Sequence, residues 1–181
     1  MTRAISILIA AVAIGATAQL AIPLPENFAA APITGQTLAV SVAAYLLGSK
    51  DGPLAVLLYL LLGALGLPLF SDFKSGLTVL TGPTMGYFVG FVLAAFLIGK
   101  WKENKAHKFG QYFLAFLLGT LTILMLGMLG LLRYLSLKEA FLKGVLPFLA
   151  GGLVKILLAA ILISLISRFK KLMNQEGMRP N

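Results

Sequence analysis

Long apolar stretches with almost no charge constrain this chain more than any other feature of its sequence. A helix needs about 20 predominantly apolar residues to cross a hydrocarbon core of about 30 Å. Five clear candidates are 4–22, 54–67, 84–98, 112–132 and 146–166. The chain is 59% apolar and 12% charged, and soluble domains carry about twice that charged fraction. We therefore predict an all-α integral membrane protein.

A sixth apolar segment, 36–47, is short and leads into the turn-forming run Gly48-Ser49-Lys50-Asp51-Gly52-Pro53. Such a run can close a tight helical hairpin between 36–47 and 54–67. One joined span would instead place these turn residues in lipid, where their backbone groups find no partners. We therefore expect six spans in a single membrane domain over residues 1–181.

The distribution of Lys and Arg predicts the orientation of these spans. With six spans and a cytoplasmic N-terminus, ten of the 15 basic residues lie inside and four lie outside. This bias follows the positive-inside rule and places both termini in the cytoplasm. The inner cations would contact anionic membrane lipid, so the net charge of +9 requires no nucleic acid partner.

The sequence lacks the residues that metal binding, intramembrane catalysis and ATP hydrolysis require. The chain has no Cys and one His, His107, in a charged loop, so we expect no metal site built from these residues. None of the six Asp and Glu residues lies within a predicted span, which argues against an intramembrane enzyme. The sequence shows no nucleotide-binding loop, so we do not expect this chain to hydrolyse ATP.

The two long outer connections are unusually apolar. The first, 23–35, contains three prolines, and the second, 66–83, carries the apolar stretch 76–80. Irregular backbone at membrane depth is tolerated where it is buried in protein or lines a cavity. These loops either plug the end of the bundle or cap an outward-facing ligand pocket, and composition favours the pocket.

Lys155 is the one cation inside a predicted span. A Lys near the centre of a membrane helix costs about 2.5–3.5 kcal/mol, which is tolerated where the charge meets a partner, a polar cavity or a ligand. At 1.5 Å per residue, Lys155 lies ~12 Å beyond a helix start near Pro147. That depth is in the outer half of the membrane, so Lys155 either contacts a ligand or buried partner, or snorkels outward.

The start of the fourth span faces the same side. Gly82 and Thr84 flank Pro83, which suits the first turn of a helix, and free N–H groups there can bind carboxylates and other oxygen acceptors. Tyr87, one turn on, adds a hydroxyl to the pocket or is an interfacial aromatic. These residues are candidates for ligand binding.

Small residues recur at helical spacing along the first span. They are Ala4, Ala11, Gly15 and Ala18. Small side chains let two helix backbones approach closely. This small-residue stripe packs within the bundle or docks to a partner membrane subunit, and the sequence does not distinguish the two.

Several motifs in order resemble one known family. They are Gly35-Gln36-Thr37-Leu38-Ala39-Val40, the stretch 54–63, Gly66-Leu67-Pro68, Gly82-Pro83-Thr84 with Gly86-Tyr87, and the run from Leu146 to Gly151 with Lys155 and Ala159. Together they resemble the biotin-specific substrate-binding subunit (S component, BioY family) of energy-coupling-factor (ECF) transporters. The likeness covers nearly the whole chain and is densest from Ile33 to Gly99.

The resemblance implies a six-helix S component in the bacterial plasma membrane, which binds biotin near the outer face and delivers it inward. It implies a transmembrane coupling subunit and two cytoplasmic ATPase subunits as partners, with docking through the small-residue stripe. No cofactor or metal is implied. Taken with the residues singled out above, the candidate substrate-binding residues are Gln36, Asp72, Gly82, Thr84, Tyr87, Gly151 and Lys155.

One position departs from the family pattern. The sixth helix of the family usually carries an Asp three residues before its Lys, on the same helix face, and this chain has Gly152 there. Asp72 of the second outer loop is the acid that could fold in to replace it. The alternatives are an S component for another small anionic vitamin and a non-catalytic membrane assembly protein.

Overall fold

The computed structural model describes residues 2–25, 27–104 and 108–175, so His107 lies outside the described residues. Helices dominate this part of the chain, with one short antiparallel strand pair between the first two helices. The elements are α1 (Arg3–Ala18), β1 (Ala21–Ile22), β2 (Ile33–Thr34), α2 (Gln36–Ala64), α3 (Leu77–Thr81), α4 (Met85–Asn104), α5 (Phe109–Leu131), α6 (Leu137–Gly144) and α7 (Leu146–Gln175).

Four helical segments are long and apolar enough to cross a membrane. They are Gln36–Ala64, Met85–Asn104, Phe109–Leu131 and the nearly continuous Leu137–Asn174. The helix α1 is apolar but shorter. Large aliphatic and aromatic side chains cover the outer surface of these helices, as lipid contact requires. The protein is therefore an all-helical, multi-pass membrane protein, as the composition predicts.

The helix α2 is a hairpin of two antiparallel arms, 36–47 and 49–64. Gly48 interrupts it with φ +87° and ψ −175°. The side chains of Gln36 and Tyr59 are hydrogen-bonded at 2.5 Å, although a straight helix would hold them roughly 35 Å apart. The expected turn over 48–53 is in fact one residue, because helical structure resumes at Ser49.

The carboxylate of Glu103 stabilises the start of the second arm. It accepts hydrogen bonds from the backbone N–H of Ser49 at 3.0 Å and from the Ser49 hydroxyl at 2.7 Å. The first N–H groups of a helix have no partner within the helix, and a carboxylate also favours the positive end of the helix dipole. This contact fixes the reversal of α2 against the end of α4.

Glycines allow the helices to approach closely. The helix α2 packs against α1 and α4, α4 packs against α5, and α5 packs against α7. A Cβ at Gly99 of α4 would overlap the backbone of Gly48 and Ser49, and a Cβ at Gly90 would lie 2.8 Å from the Cα of Ile123 in α5. The bundle therefore depends on backbone contacts that larger residues would block.

Both long loops fold onto the end of the bundle opposite the α2 reversal. The strands β1 and β2 close the first loop, with Ala21 paired to Thr34 and Ile22 to Ile33. For this reason α1 ends at Ala18, before the expected limit at Ile22. In the second loop, the buried Phe70 packs against Gly63 of α2.

The side chain of Gln19 holds the second loop in place. Its Nε2 donates to the carbonyl oxygens of Pro68 at 3.3 Å and Phe70 at 3.0 Å. Its Oε1 accepts from the backbone N–H of Phe73 at 3.0 Å. These bonds satisfy loop backbone groups that have no helical partner, so the irregular segment can lie against the bundle.

We expect Gly99→Ala to destabilise the protein, because the added methyl group meets backbone that cannot move without disturbing the α2 reversal. Overpacking of this kind typically costs about 1–3 kcal/mol. The matched control is Gly110→Ala on α5, where an added Cβ meets nothing within 4 Å. Thermal unfolding of the purified variants should show a lower midpoint for Gly99→Ala alone, and equal midpoints would contradict this packing account.

Candidate ligand-binding site

A cavity of about 170 Å³ lies among α2, α4, α5, α7 and the two loops. A cavity that holds one water needs roughly 10–15 Å³ by the same kind of measure, so this space can hold a small organic molecule. Its walls are mostly apolar. They include Phe70, Val79, Tyr87, Phe88, Phe91, Ile123, Leu124 and Phe148. Apolar walls with a few convergent polar groups are typical of small-molecule sites.

Lys155 reaches this cavity and has a defined partner. Its Nζ donates to the backbone carbonyl oxygen of Thr34 at 3.0 Å, and the side chain is part-buried rather than extended to the membrane surface. Among the described residues, the ion pairs are Arg3–Asp51, Lys74–Asp72 and Lys100–Glu103, so none involves Lys155. The cation is thus oriented by a strand carbonyl at the edge of the cavity that Lys155 lines.

Thr34 and Gln36 extend this contact into a hydrogen-bonded network. The Thr34 hydroxyl donates to Gln36 Oε1 at 2.9 Å, and Gln36 Nε2 donates to the Tyr59 hydroxyl. Gln36 is 5% exposed and Tyr59 is fully buried. The network joins α7, β2 and both arms of α2, so Gln36 positions the cavity wall as well as lining it.

Two threonines that sequence reasoning missed also line the cavity. Thr37 Oγ1 is buried and has no hydrogen-bond partner in the structure. Thr120 of α5 also lines the cavity and is 9% exposed. Hydroxyls in helices usually bond the carbonyl four residues earlier, as Thr122 does with Leu118. Thr37 lies in the first turn of α2, where that carbonyl is not part of the helix.

Asp72 lines the cavity mouth but does not replace the missing acid. Its carboxylate lies 3.6 Å from the Nζ of Lys74, and both side chains are at least half exposed. Asp72 and Phe73 have φ values of +59° and +55°, a conformation that is uncommon outside glycine. In this structure Asp72 is therefore paired with Lys74 rather than with Lys155.

The start of α4 contributes one wall of the cavity. Thr84 lines it, and its hydroxyl donates to the Val79 carbonyl at 3.4 Å. The Tyr87 ring also lines it, but its hydroxyl donates to the carbonyl of Gly144 at 2.7 Å. Tyr87 is thus a buried wall residue whose hydroxyl is already bonded within the protein.

Two candidate glycines lie outside the cavity lining. Gly82 lines a separate groove between α4 and α5. Gly151 lies beside Ile33, where an added Cβ would be 3.6 Å from the side chain. The neighbouring Gly152 does line the cavity. Five of the seven candidates, including Lys155, Gln36 and Asp72, are brought together around one space.

The small-residue stripe packs inside the bundle. Ala11 and Ala18 are fully buried, and a Cβ at Gly15 would lie 2.8 Å from the Leu69 side chain. Ala4 is the exposed member of the four. The structure therefore favours internal packing over docking for Ala11, Gly15 and Ala18, because their surfaces already contact this chain.

Comparison with known families gives one clear match. A sequence model described as the BioY family matches residues 1–172. A biotin transporter BioY of Thermotoga maritima is 45% identical over 142 residues, which cover 78% of this chain and 82% of the relative. A probable biotin transporter BioY of Pyrococcus horikoshii is 37% identical over 131 residues, covering 72% and 77%.

A solved structure shares the fold. The crystal structure of the S-component for biotin from an ECF-type ABC transporter superposes with a TM-score of 0.81. The match covers 92% of this chain and 90% of that one at 24% sequence identity. At this identity the likeness concerns the arrangement of the helices rather than the residues of the site.

The Gln36–Tyr59 bond can be measured by a double-mutant cycle. Gln36→Leu leaves the Tyr59 hydroxyl buried without its donor, and Tyr59→Phe leaves the Gln36 Nε2 without its acceptor. Each change should lower the free energy of unfolding by about 1–3 kcal/mol. The double variant should cost less than the sum, because the orphaned partner is removed. Strict additivity in chemical unfolding would contradict a direct bond between the two arms of α2.

Proposed function

This chain belongs to the BioY family, and we propose that it is the high-affinity biotin-binding membrane subunit of a vitamin uptake transporter. The observation that carries the proposal is the cavity lined by Lys155, Thr37 and Thr120 together with aromatic side chains. The names of the relatives, biotin transporter BioY, support biotin as the ligand. The match of the family model over residues 1–172 extends this support to nearly the whole chain.

The chemistry of biotin suits this cavity. Biotin has an apolar bicycle, a ureido group with N–H donors and a carbonyl acceptor, and a carboxylate on a flexible chain. We propose that the aromatic walls cover the bicycle while Lys155, Thr37 and Thr120 contact the ureido group. The carboxylate then lies toward the mouth near Lys74, because an ionised group costs more than a neutral one to remove from water.

We propose that the chain forms one domain with six spans and both termini in the cytoplasm. Two contacts support this topology. Arg3 Nη2 lies 2.6 Å from Asp51 Oδ1, so the start of α1 lies beside the reversal of α2. The bonds of Glu103 to Ser49 place the end of α4 at the same face.

That shared face carries much of the positive charge, including Lys50, Lys100 and Lys102. The cavity and both long loops lie at the other end of the bundle. The positive-inside rule then directs the charged face to the cytoplasm and the cavity to the outside. We place the protein in the cell membrane, where it takes biotin from the external medium.

We propose that transport depends on partner subunits. The fold match is to an S-component of an ECF-type ABC transporter, a class of transporter driven by ATP. We therefore infer a transmembrane coupling subunit and two cytoplasmic ATPase subunits, with no catalysis by this chain. Biotin is the transported ligand in this scheme and no cofactor takes part.

Equilibrium binding of labelled biotin to the detergent-purified protein tests the proposal. We expect tight binding by the parent chain and roughly 10-fold to 150-fold weaker binding by Lys155→Met, since a hydrogen bond to a charged group contributes about 1.5–3 kcal/mol. Lys138→Met is the matched control, because Lys138 is exposed on α6 and does not line the cavity.

Each of the following results would count against a part of this scheme. No biotin binding by the parent chain would reject the function, and tight binding of another small anionic vitamin would support an S component of different specificity. Parent-level affinity in Lys155→Met would instead reject the assignment of Lys155 to the site. An ECF complex that takes up biotin without this chain would reject the proposed role in transport.

Thr37→Val separates ligand binding from stability. The hydroxyl of Thr37 has no partner in the protein, so its removal should leave the unfolding midpoint of the free protein unchanged or higher. Biotin affinity should fall about 2-fold to 10-fold, the equivalent of one neutral hydrogen bond. Thr122→Val is the control, since the Thr122 hydroxyl bonds Leu118 away from the cavity. Unaltered biotin affinity in Thr37→Val would refute this contact.

A further inference from the structure

We propose that the groove between the start of α4 and the end of α5 binds an anionic phospholipid, with the phosphate at Arg133 and an acyl chain along the groove. The groove has a volume of about 230 Å³ and is separate from the ligand cavity, with which it shares no lining residue. The inference rests on the membrane location of the protein and does not depend on which vitamin the cavity binds.

Two glycines create the groove. Gly86 of α4 and Gly130 of α5 face each other, and a Cβ at Gly130 would lie 2.9 Å from the Cα of Gly86. With no side chain at either position, the two helices touch through their backbones and leave a depression on the outer side. Val89 and Leu129 flank it, and each is about half exposed.

The walls of the groove are suited to an acyl chain. Val89, Leu126 and Leu129 present hydrocarbon along two antiparallel helices that are long and apolar enough to span the membrane. A depression in such a surface must be filled by lipid or by another protein, since an empty apolar space loses its dispersion contacts. A flexible acyl chain can follow a shallow, irregular groove of this kind.

Arg133 gives the groove a charged end. It lies beyond the end of α5 at Leu131 and is exposed, with one guanidinium nitrogen 3.6 Å from the weak acceptor Sδ of Met85. None of the ion pairs among the described residues involves Arg133. A guanidinium group can bind phosphate through two parallel hydrogen bonds.

The charge and the apolar walls together specify the class of ligand. The exposed Tyr134 follows Arg133 at the same end of the groove, as expected for an aromatic residue at the level of the lipid headgroups. A phospholipid with an anionic phosphate matches both parts of the site, because its acyl chain fits the apolar groove and its phosphate can bind Arg133. A soluble phosphate would leave the apolar groove unfilled, and an apolar partner helix would leave the guanidinium charge uncompensated.

Native mass spectrometry of the detergent-purified full chain tests the proposal with dioleoylphosphatidylglycerol as the probe. We expect the parent protein to retain one lipid, and Arg133→Gln to bind it about tenfold more weakly. Lys138→Gln is the matched control, because Lys138 is an exposed cation that does not line the groove. Val89→Trp should also weaken binding, because the exposed indole would occupy the groove without disturbing buried packing.

Biotin binding and thermal unfolding, measured on each variant, separate a lost lipid site from a misfolded protein and from failure of the proposed function. Parent-level lipid binding by both Arg133→Gln and Val89→Trp would overturn the proposal. Equal displacement of the lipid by glycerol phosphate would overturn it in favour of a soluble phosphate site.

The absence of Cys in the chain allows a further check. A photoreactive probe on Val89→Cys in native membranes should form adducts with lipid. Adducts with a protein subunit in place of lipid would show that the groove is a protein interface and would overturn the proposal.

Discussion

The hydrogen-bonded chain from Lys155 through Thr34 and Gln36 to Tyr59 holds together the end of the bundle where the cavity forms. It joins α7 to the first loop and then to both arms of α2. Each polar group in it would be costly if left alone at membrane depth, because no water is available to replace a lost partner. The network therefore fixes the positions of three elements at once, and the aromatic walls pack around it.

Some polar groups around the cavity have hydrogen-bond partners within the protein, and others do not. The Tyr87 hydroxyl and the Gln36 amide have partners within the chain, so they shape the site. Thr37 Oγ1 has none. A buried hydroxyl without a partner costs about 1–3 kcal/mol, and a ligand that supplies the partner recovers this cost. This is the physical basis of the proposed contact between Thr37 and biotin.

The two ends of the molecule are closed in different ways. At the end of the molecule where α2 reverses, the Asp51 carboxylate pairs with Arg3. The Glu103 carboxylate accepts a hydrogen bond from Ser49 at the start of the second arm. At the cavity end, closure depends on loop backbone held by the Gln19 side chain. The strand pair β1–β2 and the buried Phe70 complete the closure at this end.

The sequence by itself determined the class of protein, the apolar segments, the turn near Gly48 and the family. It also singled out Lys155 as a cation among apolar residues, because hydropathy and charge are local properties of the chain. It did not reveal that Asp72 pairs with Lys74, that Gly15 packs against Leu69, or that Thr37 lacks a partner. These outcomes depend on residues far apart in the chain, as with Lys155 and Thr34, which are 121 positions apart. Only the packing of the helices decides which polar groups meet, since each side chain bonds whatever the fold places within about 3 Å.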